Sequence, residues 1–187
     1  MSDDVLVVGV CGSLADDSYT RTALRYALGA ARDAGAETEL VDLREYALPL
    51  YDPDNSSAGD APELMALLRD ADGVVLGTPN YHGTFSSPLK TVLDYAGSDE
   101  FEGTYVGLLT VAGGSFPREA LSHLRLSCLK VDATVLNHQA AIPNVYGQFE
   151  ADPDAPGGRR FADADLRERV EAVGERVARA ASRRVPA

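Results

Sequence analysis

Lysine is nearly absent from this chain: of 17 basic residues only Lys90 and Lys130 are lysines, against 29 acidic residues and a formal net charge of −12. Sequence-independent nucleic-acid binding and attachment to anionic membranes both need cationic side chains, so this balance excludes both. Tryptophan is missing, and the two cysteines, Cys11 and Cys128, show neither CxxC nor Cys/His spacing. A disulfide framework and a zinc site are thereby excluded, and both thiols read as core residues. No run of about 18 apolar residues offers a transmembrane helix. The opening Met1-Ser2-Asp3-Asp4 carries no basic, apolar leader, so a soluble, cytoplasmic protein is expected. GxGxxG and GK[ST] are absent too, which excludes a dinucleotide fingerprint and a Walker A loop. An acid-rich, lysine-poor and alanine-rich composition suits a salt-loaded cytoplasm, where screening relieves self-repulsion, and a halophilic origin is expected.

What is present is an alternation of apolar strands and helical patterns. At 187 residues the chain suits one α/β domain spanning 1–187. Strands are expected at Val5–Cys11, Glu37–Asp42, Gly73–Thr78, Tyr105–Val111 and Ala133–Leu136. Helices are expected at about Tyr19–Ala34, Ala61–Ala71, Ser87–Ala96 and Pro117–Leu129. Strands separated by helices imply right-handed crossovers and a doubly wound parallel sheet covered on both faces. Leu48–Asp60 and Ala151–Gly158 read as loops. The second precedes a charged helix from roughly Asp163 to Arg183, whose Leu166, Val170, Val173 and Val177 recur at helical spacing and predict packing on the domain.

Ligands of an open parallel sheet bind beyond the carboxyl ends of its strands. Three loops there are unusual. After strand one, Gly12–Tyr19 (GSLADDSY) opens into a helix, where free N–H groups, the helix dipole and the hydroxyls of Ser13, Ser18 and Thr20 make a phosphate site without lysine. After strand three, Pro79, Asn80, Tyr81, His82 and Gly83 offer backbone groups and an aromatic side chain to the edge of a flat heteroaromatic ring. After strand four, Gly113 and Gly114, followed by Ser115, permit close backbone approach. Together they suit a phosphate-bearing planar cofactor.

These residues resemble the NAD(P)H-dependent FMN reductase family of flavodoxin-like flavoproteins, which includes quinone, azo-dye and chromate reductases. That family carries a GS-x-R-x-x-S turn after strand one, a TPEYN-type loop with LK-x-x-x-D downstream, and a glycine-rich loop after strand four. Thr78, Pro79, Tyr81, Leu89, Lys90 and Asp94 stand at the family spacing, and the match extends through Gly113, Gly114 and Leu124–Arg125. The resemblance implies a flavodoxin-like five-stranded sheet of order 2-1-3-4-5. It implies FMN held at its phosphate by Ser13, Ser18, Tyr19 and Thr20, with Pro79–Gly83 and Gly113–Ser115 bordering the ring. It also implies NADPH or NADH as electron donor, a small-molecule acceptor such as a flavin or quinone, and a homodimer or homotetramer. The flavin carries the chemistry, and no catalytic side chain is assigned.

The chain departs from the pattern at Ala15, where the family has arginine, and at Asn80, His82, Thr84, Ser86 and Ser87. His82 reads as a loop histidine or a proton donor, and Lys90–Asp94 as a surface pair. Tyr46–Tyr51 reads as core or as a dimer contact. Arg21, Arg118 and Arg125 are available for a nucleotide 2′-phosphate. A flavodoxin-like electron carrier reduced by a protein partner is the alternative function. A cofactor-free binder of sugar or nucleotide phosphates remains open, while a receiver domain lacks the aspartate it needs at the end of strand three.

Overall fold

In the computed structural model, which describes residues 5–183, the expected strands form one parallel sheet. The elements are β1 (Leu6–Cys11), α1 (Tyr19–Asp33), β2 (Glu37–Asp42), α2 (Ala61–Asp70), β3 (Gly73–Pro79), α3 (Ser87–Tyr95) and the short α4 (Ser98–Phe101). They continue as β4 (Tyr105–Val111), α5 (Arg118–Lys130), β5 (Thr134–Ile142), β6 (Phe149–Ala151), β7 (Arg159–Phe161) and α6 (Ala164–Ala181). The sheet order is β2-β1-β3-β4-β5, with all pairs parallel. The chain leaves β1 to one side for β2 and returns to the other for β3, so the loops after β1 and β3 diverge and open a crevice at their carboxyl ends.

Period-two alternation sends Val8, Val10, Val74, Leu76, Val106 and Leu108 to one face, under α2, α3 and α5. Val7, Cys11, Val75, Leu109 and Val111 face α1 and α6. On that second face the strands carry glycine at four positions. A Cβ on Gly9 or Gly77 would meet Leu28 or Leu24 of α1, and on Gly73 or Gly107 would meet Val177 or Val173 of α6, all within 2.4 to 2.8 Å. The two helices therefore sit low on the sheet and touch each other. A Cβ on Gly174 of α6 would lie 1.8 Å from the Ala27 carbonyl oxygen of α1.

Two stretches differ from the sequence reading. The fifth strand runs to Ile142 because it contains a wide bulge: Val135 pairs Val106 and Gln139 pairs Leu108, so four steps of β5 face two of β4. Asn137, His138 and Gln139 interrupt the apolar pattern there. Arg125 of α5 satisfies the bulge, donating to the carbonyls of Val135 (3.2 Å) and Leu136 (2.6 Å) and to Gln139 Oε1 (3.3 Å). The loop at Ala151–Gly158 is the tip of an antiparallel hairpin, β6 on β7, that pairs Phe149 with Phe161 and Ala151 with Arg159. Aromatic packing anchors it: Phe161 lies against Phe149 and Tyr26, and Phe149 against Tyr19. The Tyr26 hydroxyl donates to the Arg159 carbonyl across 2.9 Å. Among the described residues no helix is long and apolar enough to cross a membrane.

Candidate functional site

The turn between β1 and α1 is held from behind and open in front. Gly12 N–H donates to the Gly77 carbonyl (2.8 Å), which fixes the start of the turn to β3. Ser18 is the N-cap of α1 and accepts from Arg21 N–H (3.1 Å), and Ser13 Oγ accepts from Ala15 N–H (3.4 Å). Arg21 grips the carbonyl side of the turn, donating to Ala15 O (3.3 Å) and to Asp16 O. No partner among the described residues accepts from the backbone N–H groups of Asp16, Asp17, Ser18, Tyr19 or Thr20. Five consecutive donors at a helix start, with the dipole behind them, are an arrangement that favours an anion. Ser13, Ser18 and Thr20 are buried, and Tyr19 is half-buried.

Charge around the turn is organised by Asp42 at the end of β2. This buried carboxylate accepts from Arg21 (2.9 Å) and Arg44 (2.7 Å). Burial pushes its pKa up, but the Arg44 hydrogen bonds and the two guanidinium charges outweigh that and hold it below the usual aspartate range. The turn's own carboxylates are paired as well, Asp16 with Arg44 (2.9 Å) and Asp17 with Arg159. Arg159 comes from β7 and lies over the Tyr19 ring, 4.6 Å from its centroid.

The loop after β3 folds back as a tight reversal. Tyr81 and Thr84 exchange backbone hydrogen bonds of 3.0 and 3.2 Å around His82 (φ 53°) and Gly83 (φ 82°). Two positive φ angles between paired residues define a type I′ turn, which favours asparagine or glycine at its first centre and strains the histidine found here. His82 thus holds a conformational position, with its side chain exposed, as is that of Tyr81. Asn80 sits at the strand end: its N–H donates to Val111 O (2.8 Å) and its Nδ2 to Phe116 O (3.0 Å). Its Oδ1 is buried with no partner among the described residues.

The loop after β4 exposes Gly113, Gly114, Ser115 and Phe116. It is braced by the loop after β5: Asn144 N–H donates to Gly114 O (3.0 Å), Val145 N–H to Ala112 O (3.0 Å), and Ser115 Oγ to Asn144 Oδ1 (3.3 Å). Tyr146 from that brace packs beside Gly113 and edge-on to Tyr19, with ring centroids 6.0 Å apart. The three sequence-selected loops therefore meet at one edge of the sheet, Asn80 touching the third loop and Tyr19 the Tyr146 brace. Sequence reasoning passed over Tyr146, Arg44 and Arg159; the first follows a β5 that extends further than its apolar run. Of the three arginines read as available for a nucleotide phosphate, Arg21 and Arg125 are engaged. Arg118 lines a cleft of about 870 Å³ beyond the third loop, together with His138 and Arg169.

Comparison with known proteins gives the family and supports the fold. The sequence model of the family described as NADPH-dependent FMN reductase covers residues 5–147. An FMN-dependent NADPH-azoreductase of Staphylococcus saprophyticus is 37% identical over 63% of this chain, a match that spans 65% of the relative's own length. An NAD(P)H-dependent FMN reductase of Pseudomonas aeruginosa is 31% identical over 81% of this chain and 84% of its own. The solved structure of FerB, an NAD(P)H:acceptor oxidoreductase of Paracoccus denitrificans, superposes with a TM-score of 0.76 at 20% identity, over 95% of this chain and 97% of that one, and shares its fold. Sequence and architecture agree: the chain belongs to the NADPH-dependent FMN reductase family, whose cofactors are FMN and a reduced nicotinamide nucleotide.

Proposed function

We propose that this protein is an FMN-dependent NAD(P)H oxidoreductase that passes electrons to a flavin, quinone or similar small oxidant. The observation that carries the reading is the run of unpartnered N–H groups from Asp16 to Thr20 beside the β1–β3 crevice. The residues present fit the cofactor. The turn offers backbone donors and the hydroxyls of Ser13, Ser18 and Thr20 to a phosphate, and Tyr19 N–H belongs to the same run. At the other end, Asn80 Oδ1 is a buried acceptor with no donor among the described residues, in the loop assigned to the ring edge. Pro79, Tyr81, His82 and Gly83 form the reversal beside it, and Gly113, Gly114 and Ser115 the opposite wall.

When bound, FMN supplies the hydride and electron chemistry. The chain's residues bind and orient. The Ser13–Thr20 turn would hold the phosphate, the braced third loop would set the distance between walls, and the exposed Tyr81 marks the side from which nicotinamide and acceptor would approach in succession. No side-chain acid or base is required by this arrangement. The acidic charge supports function in a salt-rich cytoplasm, and the exposed Leu14, Tyr81, Phe116 and Tyr146 around the site support assembly as a homodimer or homotetramer.

The test is an anaerobic absorbance titration of FMN-loaded protein in high salt with NADPH and then NADH. Bleaching of the bound-flavin band within seconds by either nucleotide is the expected result, and the faster donor names the preference. A band that survives both nucleotides points instead to an electron carrier reduced by a protein partner.

A further inference from the structure

The family motif places an arginine in the phosphate turn; here that position is Ala15, and the next two residues are Asp16 and Asp17. A phosphate monoester near neutral pH carries between one and two negative charges and would meet two carboxylates inside its own binding turn. Three guanidiniums reach the turn from outside it. Arg21 is committed to Asp42 and to the carbonyls of Ala15 and Asp16, on the side of the turn away from the free N–H groups. Arg44 is committed to Asp42 with three hydrogen bonds and to Asp16 with a fourth. Arg159 differs from both. Among the described residues its one carboxylate partner is Asp17, whose side chain is 82% exposed, whereas the Arg159 side chain is only 17% exposed.

The position of Arg159 is built. The hydrogen bond from the Tyr26 hydroxyl to its carbonyl fixes the backbone, the Tyr19 ring supports the guanidinium plane, and the aromatic packing of Phe149 and Phe161 fixes the hairpin that carries it. A guanidinium has five N–H donors, and one exposed carboxylate leaves most of them free. It stands over the ring of Tyr19, whose own N–H belongs to the run of unpartnered backbone donors. The hairpin also lies beyond residues 5–147, the part matched by the family.

Resting on the FMN reading above, we propose that Arg159 is the charged partner of the cofactor phosphate in this chain, replacing the arginine lost at Ala15. Asp17 is its stand-in anion: it occupies the guanidinium when the phosphate is away and yields it when the phosphate arrives. The turn thus keeps its cation shielded in an acidic protein, and affinity for FMN is set by competition between a carboxylate of the chain and the phosphate of the ligand.

The experiment compares FMN with riboflavin, which lacks the phosphate, by titrating flavin fluorescence with the apoprotein of the wild type, Arg159→Gln, Asp17→Asn and the double variant. Arg159→Gln is expected to weaken FMN by about ten- to a hundredfold with riboflavin unchanged. Asp17→Asn is expected to tighten FMN severalfold, and the double variant to lose most of that gain. Opposite signs for the two single variants separate this role from a structural ion pair, whose partners would weaken both flavins together. Thermal melts of the apoproteins report the fold, and Asp17→Asn, an exposed turn substitution, carries the test even if Arg159→Gln disturbs the hairpin. Unchanged ratios of FMN to riboflavin affinity in both single variants overturn the assignment of Arg159 alone. A wild type that binds neither flavin overturns the FMN reading and this assignment with it.

Discussion

Ser86 donates its hydroxyl to the carbonyl of Gly12 across 2.6 Å, and that bond ties the loop after β3 to the turn after β1. Ser86 is buried, with its N–H on Thr78 Oγ1 at 2.9 Å, so neither partner of the Gly12 bond has water to fall back on. The serine stands where the family has part of a proline-glycine pair. A departure from the motif thus supplies a contact between two walls of the site.

Ser86→Ala leaves the Gly12 carbonyl buried without a donor and is expected to cost about 1 to 3 kcal/mol in urea unfolding. Gly12→Ala is expected to do worse for the site, because its Cβ would lie 2.7 Å from Ser86 Oγ and 2.9 Å from Leu89 Cβ. Both variants should bind FMN more weakly in a fluorescence titration; a wild-type affinity in Gly12→Ala would show that the turn does not depend on this close approach.

Glycine to alanine in two facing helices should have opposite signs. Gly174→Ala forces its methyl into the Ala27 carbonyl and is expected to destabilise by about 3 kcal/mol. Gly29→Ala, in the interior of α1 with open space around it, is expected to stabilise by up to about 1 kcal/mol through helix propensity and a less flexible unfolded chain. Chemical denaturation of both, side by side, checks the pair.

Arg125→Gln should behave as a structural lesion. It strips the donors from the carbonyls of Val135 and Leu136 in the bulge of β5, and a loss of about 2 to 3 kcal/mol is expected, with hydrogen exchange rising in β5 first. An unchanged melting temperature would refute the account of the bulge.

Asp42 makes part of the stability acid-sensitive. Its pKa in the folded protein lies below the ordinary 3.8, so its contribution is complete above that value and is lost as pH falls through the lower, folded one. Asp42→Asn should therefore cost about 2 kcal/mol at pH 7, with the gap to wild type narrowing only below about pH 4. A gap that is flat across acid titration would mean the carboxylate charge is not what Arg21 and Arg44 hold.

Both thiols should be inert in the native protein. Cys11 and Cys128 are fully buried, and burial pushes the Cys128 thiol up to about 12 and raises that of Cys11. A thiol-disulfide reagent at pH 8 should label neither before denaturant is added and both after.

The sheet was legible in the sequence because its strands are apolar, short and bounded by turn residues, and the order follows from the family resemblance. The three loops were legible for the same reason: each begins where an apolar run stops. What could not be read has a common physical cause. The bulge in β5 contains Asn137, His138 and Gln139, and the carbonyls of Val135 and Leu136 at its start are satisfied by the side chain of Arg125, 10 and 11 positions earlier, so no local pattern records it. The hairpin of β6 and β7 has three-residue strands, too short for periodicity, and is held by rings from α1. Arg159 could not be linked to Asp17 from the sequence because the contact spans most of the chain.

The close fit of α1 and α6 has a consequence for how the protein is made. One face of the central strands is shared between the first helix and one that lies more than 140 residues downstream, with glycines in β1, β3 and β4 shaped to both. During synthesis α1 can seat on β1 and β3 through Leu28 over Gly9 and Leu24 over Gly77, but its flank toward Gly174 stays open until α6 has left the ribosome. A chain halted before α6 would therefore leave the α1 flank at Ala27 and the strand glycines Gly73 and Gly107 uncovered, a surface that the finished protein never shows to water.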